Sequence, residues 1–244
     1  MRLFSLLIGF VFMTTTLSAR GETPEPECVV LLHGIGLRGY VMKRLESALR
    51  QDGYRVVNLS YPSRKMSFEE LVRDFLPARL RRHDTGRAPR LHFVTHSLGS
   101  LLVRSFLQQA RPANLGRVVM IGPPNHGSTA ANQAKEHTLL RRFLGENLAR
   151  LGTGDQAIVN QLGPADFEVG VIAGRVSHNP LFCRILGSEN DGAVTVQSAR
   201  LEGMGDFIVV PYSHTAMLWR RSVIDQTRAF LRTGSFSPEA RRDK

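Results

Sequence analysis

The ten residues Arg90-Leu91-His92-Phe93-Val94-Thr95-His96-Ser97-Leu98-Gly99 join an apolar run to a helical pattern with no spacer between them. Leu91, Phe93 and Val94 read as a strand ending near His96, while Leu98, Leu101, Leu102, Phe106 and Ala110 repeat at the spacing of one helical face. A serine where a strand turns directly into a helix sits on a tight elbow with its hydroxyl exposed. Small residues two before and two after it let strand and helix close up. Gly99 meets that need, whereas Thr95 stands where a glycine is usual. Read as structure alone, Ser97 would be a buried helix N-cap. The strand-turn-helix setting favours a nucleophile.

Working outward, β-like runs occur at 28–33, 54–60, 90–96, 116–122, 167–174 and 206–211. Most are continuous stretches of valine, isoleucine and leucine, the pattern of strands buried on both faces of a parallel sheet. Amphipathic segments lie between them. Val41, Met42, Leu45, Ala48 and Leu49 share one helical face, and Ser67 with Glu70 forms a capping box before Leu71 and Val72. Pro77 is expected to kink or end that helix. Strand alternating with helix predicts an α/β fold: an open, mostly parallel six-stranded sheet with helices on both faces. The interval 123–164 breaks the rhythm with no strand, only loop signals around Leu140, Phe143, Leu144, Leu148 and Leu151. An insertion after the fourth strand would sit over the carboxyl edge of the sheet, where such sheets bind ligands. Lid and ordinary surface helix both remain open for it.

Directly after the first run comes His33-Gly34-Ile35-Gly36. Acyl transfer develops an oxyanion that preorganised N–H donors stabilise. One donor is expected at Leu98, after the nucleophile, and another from this first loop, whose glycines leave its amides open. A phosphate-binding turn is the other reading: Gly34, Gly36 and Gly39 have the G-x-G-x-x-G spacing, which by itself is a weak signal.

With these motifs in place, the chain resembles the α/β-hydrolase superfamily, its small bacterial lipases and esterases in particular. Those proteins carry an HG-x-G loop, a small-H-S-x-G elbow, then an acid and a final histidine in that order. The likeness covers nearly everything after the leader. It implies Ile35 and Leu98 as the oxyanion residues. The run Gly122-Pro123-Pro124-Asn125-His126-Gly127-Ser128 is also similar to a segment that precedes the lid of bacterial lipases.

A serine hydroxyl needs a general base, and histidine suits that role near neutral pH. His214 follows the last strand run and precedes the last helical pattern, at the sheet edge expected for Ser97. His126 also follows a strand and is its one competitor. His33 and His96 adjoin the motifs and are expected to orient their loops, whereas His83, His92, His137 and His178 have no motif support. The acid should lie between serine and histidine. Asp191, in Asn190-Asp191-Gly192 after the fifth run, fits, although Asp-Gly is also an ordinary turn signal. Asp166 and Asp206 enter strands at the wrong end, and Glu189 is the nearest substitute.

The remaining composition bounds the setting. The chain of 244 residues suits one domain. Arg2, the apolar run 3–13 and the small residues Ser18 and Ala19 have the layout of a secretory signal peptide, expected as 1–19 with a domain at 20–244. An uncleaved anchor is the alternative; either places the domain in the periplasm or outside the cell. Cys28 and Cys183 could pair in an oxidising compartment, or Cys28 could be a buried small hydrophobe. The net charge of +11 is almost all arginine, for lysine stands only at Lys43, Lys65, Lys135 and Lys244. The arginines are scattered, never more than two in a row, without interleaved aromatics. That reads as a solvated basic surface rather than a nucleic-acid face, with contact to anionic membrane as a second expectation. The function expected is hydrolysis of acyl esters, of small molecules or lipids, without metal or organic cofactor. The same triad would serve an acyltransferase or phospholipase, and a non-catalytic envelope binding protein is the alternative from another class.

Overall fold

The structure, a computed structural model, describes residues 25–155, 157–178, 187 and 189–238. The expected signal peptide at 1–19 and Cys183 lie outside the described residues. Six strands form one parallel sheet: β1 Cys28–Leu32, β2 Arg55–Leu59, β3 Leu91–His96, β4 Leu115–Ile121, β5 Val169–Gly174 and β6 Asp206–Val210, in the order β2-β1-β3-β4-β5-β6. Each coincides with one of the apolar runs within two residues at either end. The reason is visible in β1. Cys28, Val30 and Leu32 enter one core while Val29 and Leu31 enter the other, so neither face is left for polar residues.

The helices are α1 Lys43–Gln51, α2 Phe68–Glu70, α3 Leu76–Arg82, α4 Leu98–Gln109, α5 Thr129–Glu136, α6 Thr138–Leu144, α7 Asn147–Arg150, α8 Val196–Ala199 and α9 Arg221–Thr233. On one face, α1 and α9 bury Leu45, Leu49, Val223 and Phe230 against the sheet; α4 packs on the other. The Ser67–Glu70 capping box forms as expected. Pro77 neither ends nor breaks its segment. A π-helical turn at Leu71–Phe75 precedes it, and the proline then occupies the first turn of α3. That position needs no backbone N–H, which is why the ring is tolerated there.

The strand order places the site. From β1 the chain steps outward to β2, then returns to the opposite side of β1 for β3. The loops leaving β1 and β3 therefore diverge at the carboxyl edge, where sheets of this kind bind ligands. The register Leu32↔Thr95 puts the His33 loop beside the Ser97 elbow.

The described residues of 123–164 contain no strand and carry α5, α6, α7 and a 3-10 turn at Ile158–Gln161. Leu148, Leu151 and Ile158 join the core. The side chains of Leu140 and Phe143 lie outside the described residues. Both ends of this interval converge on buried Arg104 of α4, which donates to Asn125 O and Oδ1 at one end and to Leu162 O and Gly163 O at the other. Burial lowers the pKa of this guanidinium to about 10, and carbonyl oxygens rather than a carboxylate satisfy it.

Candidate active site

Ser97 is buried and sits between β3 and α4 at φ 52° and ψ −120°, a conformation that L side chains rarely adopt. The strain is held by its surroundings. Ser97 N–H donates to Ile121 O (3.1 Å), and Gly99 lets α4 close onto β1, since a Cβ there would lie 2.7 Å from Leu32 O. Thr95 is accommodated where glycine is usual because its hydroxyl is fully engaged, 2.8 Å from Ser100 Oγ and 3.3 Å from Val119 O. Such backbone strain is worth about 1–3 kcal/mol. Ser97→Gly is therefore expected to be about 1 kcal/mol more stable than Ser97→Ala in denaturant unfolding, although both lack the hydroxyl.

His214 and Asp191 meet where the sequence order places them. The Asp191 carboxylate is buried: Oδ1 accepts from Ala193 N–H (2.9 Å) and Val194 N–H (2.8 Å), and Oδ2 lies 2.8 Å from His214 Nδ1. The histidine backbone is tied at both ends, its N–H to Asp191 O (2.9 Å) and its C=O to His96 Nε2 (3.1 Å). Because Nδ1 faces the carboxylate, Nε2 is turned away from it. Gly122, next to the Ile121 carbonyl that holds Ser97, brings its Cα against the His214 ring: a Cβ there would lie 3.1 Å from Nδ1. Ser97 and His214 thus flank the same strand end, and they share no hydrogen bond among the described residues. His126 stands elsewhere. It is exposed, and its N–H donates to Ser198 O (3.0 Å). Asp166 pairs with Arg111 on the surface, and the Asp206 carboxylate accepts from Phe207 and Phe236 N–H.

The loop expected to supply an oxyanion donor is held by a residue that sequence reasoning missed. Tyr61, buried just beyond β2, stacks on His33 with ring centroids 4.1 Å apart and 9° between planes. Its N–H donates to His33 Nε2 (3.1 Å), and its hydroxyl donates to His33 O (2.5 Å). An imidazole nitrogen that accepts from a peptide N–H carries no proton, so the proton sits on Nδ1, 2.8 Å from Gly34 O. The Leu37 N–H reaches the same carbonyl at 3.3 Å. In a trans peptide the N–H points opposite to the C=O. Clamping Gly34 O therefore aims the Ile35 N–H the other way, and neither it nor Leu98 N–H donates to a partner among the described residues. Gly34 itself lies close to the serine, for a Cβ there would be 3.1 Å from Ser97 Cβ and 2.8 Å from His96 Nδ1. Gly36 N–H donates to Ser63 Oγ (3.0 Å), which fixes the far end of the loop.

Three buried histidines stand below their ordinary pKa. Burial lowers His33 and His92, and burial followed by the neighbouring His214 imidazole holds His96 well down. His92 has a structural part: Nδ1 accepts from Arg117 N–H (2.9 Å) and Nε2 faces Glu27 (3.1 Å). The unfolded chain binds protons that these folded sites refuse. Their contribution to stability is thus complete above about pH 6.5 and is lost as pH falls from there through each folded pKa. Urea titrations are expected to show stability falling below that pH by up to about 1.4 kcal/mol per unit for each histidine. A midpoint that is flat from pH 7 to pH 5 would contradict this.

Comparison with known proteins agrees with this architecture. Residues 29–232 match the model of the alpha/beta hydrolase family. Comparison with curated protein sequences gives no match. Among solved structures, the mature lipase BlEst2 of Bacillus licheniformis is similar at 20% identity and TM-score 0.66, over 87% of this chain and 94% of that one. An esterase of Thermogutta terrifontis is similar at 15% identity and TM-score 0.60, over 87% and 92%. The phospholipase PlaB of Legionella pneumophila is similar at 20% identity and TM-score 0.59, over 75% of this chain and 52% of that one. At these identities the likeness carries the fold, and the family model spans most of the sequence: the chain belongs to the alpha/beta hydrolase family.

Proposed function

We propose that the protein hydrolyses carboxylic acyl esters through an acyl-Ser97 intermediate. The observation that carries this reading is the Asp191–His214 hydrogen bond of 2.8 Å, made at the sheet edge where the Ser97 elbow also lies. Ser97 Oγ attacks the ester carbonyl and its proton passes to His214 Nε2. The carbonyl electron pair moves onto oxygen, where Ile35 and Leu98 N–H receive the charge. Collapse breaks the bond to the alcohol, which leaves with the proton from His214. Water then repeats the sequence on the acyl-enzyme, releasing the acid and restoring the serine. Asp191 keeps the proton on Nδ1 and stabilises the imidazolium. The serine-histidine bond is of the kind that tightens only when substrate is present.

The structural relatives, a lipase, an esterase and a phospholipase, support an ester substrate. The insertion would shape the acyl pocket, since Leu144 reaches the oxyanion loop: a Cβ on Gly36 would lie 3.0 Å from its Cδ2. The apolar leader at 3–13 supports a place in the periplasm or outside the cell. A panel of nitrophenyl esters of increasing chain length tests the reading, with Ser97→Ala as control. Turnover by the wild type and none by the variant is expected. Equal rates would reject it, and activity confined to transfer onto an added alcohol would point to an acyltransferase.

A further inference from the structure

Arginines that are scattered along the sequence gather at one place in the fold. A cavity of about 390 Å³ opens beside the oxyanion loop, bordered by Gly36, with Arg38, Arg64, Lys65 and Arg79 on its walls and no carboxylate among the described residues. The cations come from three separate elements: the loop after β1, the loop after β2, and α3. Carboxylates on the adjoining helical segment are engaged elsewhere. Glu69 pairs with Arg150, Glu70 closes the Ser67 capping box, and Asp74 lies by Arg73. Arg38 and Lys65 have no ion-pair partner among the described residues, and the Arg79 guanidinium is held over the Phe75 ring at 4.9 Å.

A concave wall of one charge sign concentrates counter-ions, and guanidinium groups match the oxygens of a phosphate. The position matters as much as the charge. Gly36 stands two residues, at most about 7 Å of chain, beyond Gly34, which packs against Ser97. A phosphate in the cavity would belong to the same molecule as an acyl carbonyl at Ser97, since only a few bonds separate the two groups in a glycerophospholipid.

We propose that this cavity is a head-group subsite and that the substrates are phosphate-bearing acyl esters, glycerophospholipids in chemical class. The proposal rests on the acyl-ester reading of the Ser97 site. Its test compares kcat/KM for monomeric dihexanoyl phosphatidate and dihexanoylglycerol, in the wild type and in Arg38→Glu/Lys65→Glu, both exposed positions. The wild type is expected to favour phosphatidate about tenfold or more, an advantage that narrows in about 0.5 M NaCl. The double variant is expected to lose about tenfold on phosphatidate while staying within about twofold on the neutral ester. Equal losses on both substrates, or no wild-type preference, would overturn the subsite. A preference seen only on anionic vesicles and absent with monomers would also overturn it, in favour of membrane-surface contact. If neither ester is hydrolysed, the acyl-ester reading fails by itself. The subsite is then decided by calorimetric binding of dihexanoyl phosphatidate to Ser97→Ala: weakening by the two glutamates supports it, and unchanged affinity rejects it.

Discussion

His214→Ala is expected to lower kcat on a nitrophenyl ester by about 10⁶-fold, and the double variant Ser97→Ala/His214→Ala to be no slower than either single one. The non-additivity follows from the roles: a serine without its base, or a base without its serine, performs no step of the sequence. Asp191→Asn is a sharper probe. In the wild type Oδ1 accepts two backbone N–H groups, from Ala193 and Val194, while Oδ2 meets His214 Nδ1. An asparagine would keep its carbonyl oxygen on the two N–H groups, because its amide nitrogen cannot accept from them. The amide NH₂ would then face Nδ1 and force that nitrogen to accept, moving the ring proton to Nε2, where it blocks base catalysis. A loss of about 10⁴-fold with the fold intact is expected. Single-variant losses that multiply in the double, or an active Asp191→Asn, would remove these residues from the mechanism. Steady-state kinetics at saturating ester, with the enzyme-free rate subtracted, would measure both.

Disarming the His33 clamp is expected to have the next largest effect. His33→Ala removes the Nδ1–H that holds Gly34 O and the Nε2 that accepts from Tyr61 N–H. The Gly34–Ile35 peptide would then be held only by the Leu37 N–H at 3.3 Å, and the Ile35 N–H would be aimed less firmly. Loss of one oxyanion donor typically costs about 10²–10³ in rate. That fall is expected in kcat, with KM changed by less than about threefold, because the donor is used chiefly in the transition state. Affinity for a boronic acid inhibitor that forms a tetrahedral adduct should fall in parallel with kcat/KM. Tyr61→Phe removes only the hydroxyl bond to His33 O and keeps the backbone N–H on Nε2. It should lower stability by about 1 kcal/mol and leave kcat within about tenfold. If His33→Ala raised KM and spared kcat, the residue would be a packing element and nothing more.

The strands were legible because a parallel sheet covered on both faces leaves uninterrupted apolar runs, as in 28–33, whose alternate residues feed two cores. The elbow was legible because a strand and a helix meet at Ser97 without a spacer. Asp191 and His214 could be chosen by their position after β5 and β6, and the structure brings them within hydrogen-bonding distance. Tyr61 could not be found in this way. Its bonds run to a ring and a carbonyl 28 residues away, and any aromatic residue after a strand would read alike. The π turn at Leu71–Phe75, just before Pro77, has no sequence signature. The Thr95 hydroxyl gains its partners only when β3, β4 and α4 come together. Arg38, Lys65 and Arg79 likewise read as isolated surface charges until three elements bring them to one cavity.

The most direct test is covalent. Incubation with a fluorophosphonate, which phosphonylates only an activated serine, followed by peptide mass spectrometry, should place a single adduct on Ser97, and His214→Ala should abolish it. An adduct on a different residue, or none on folded wild-type protein, would contradict the account.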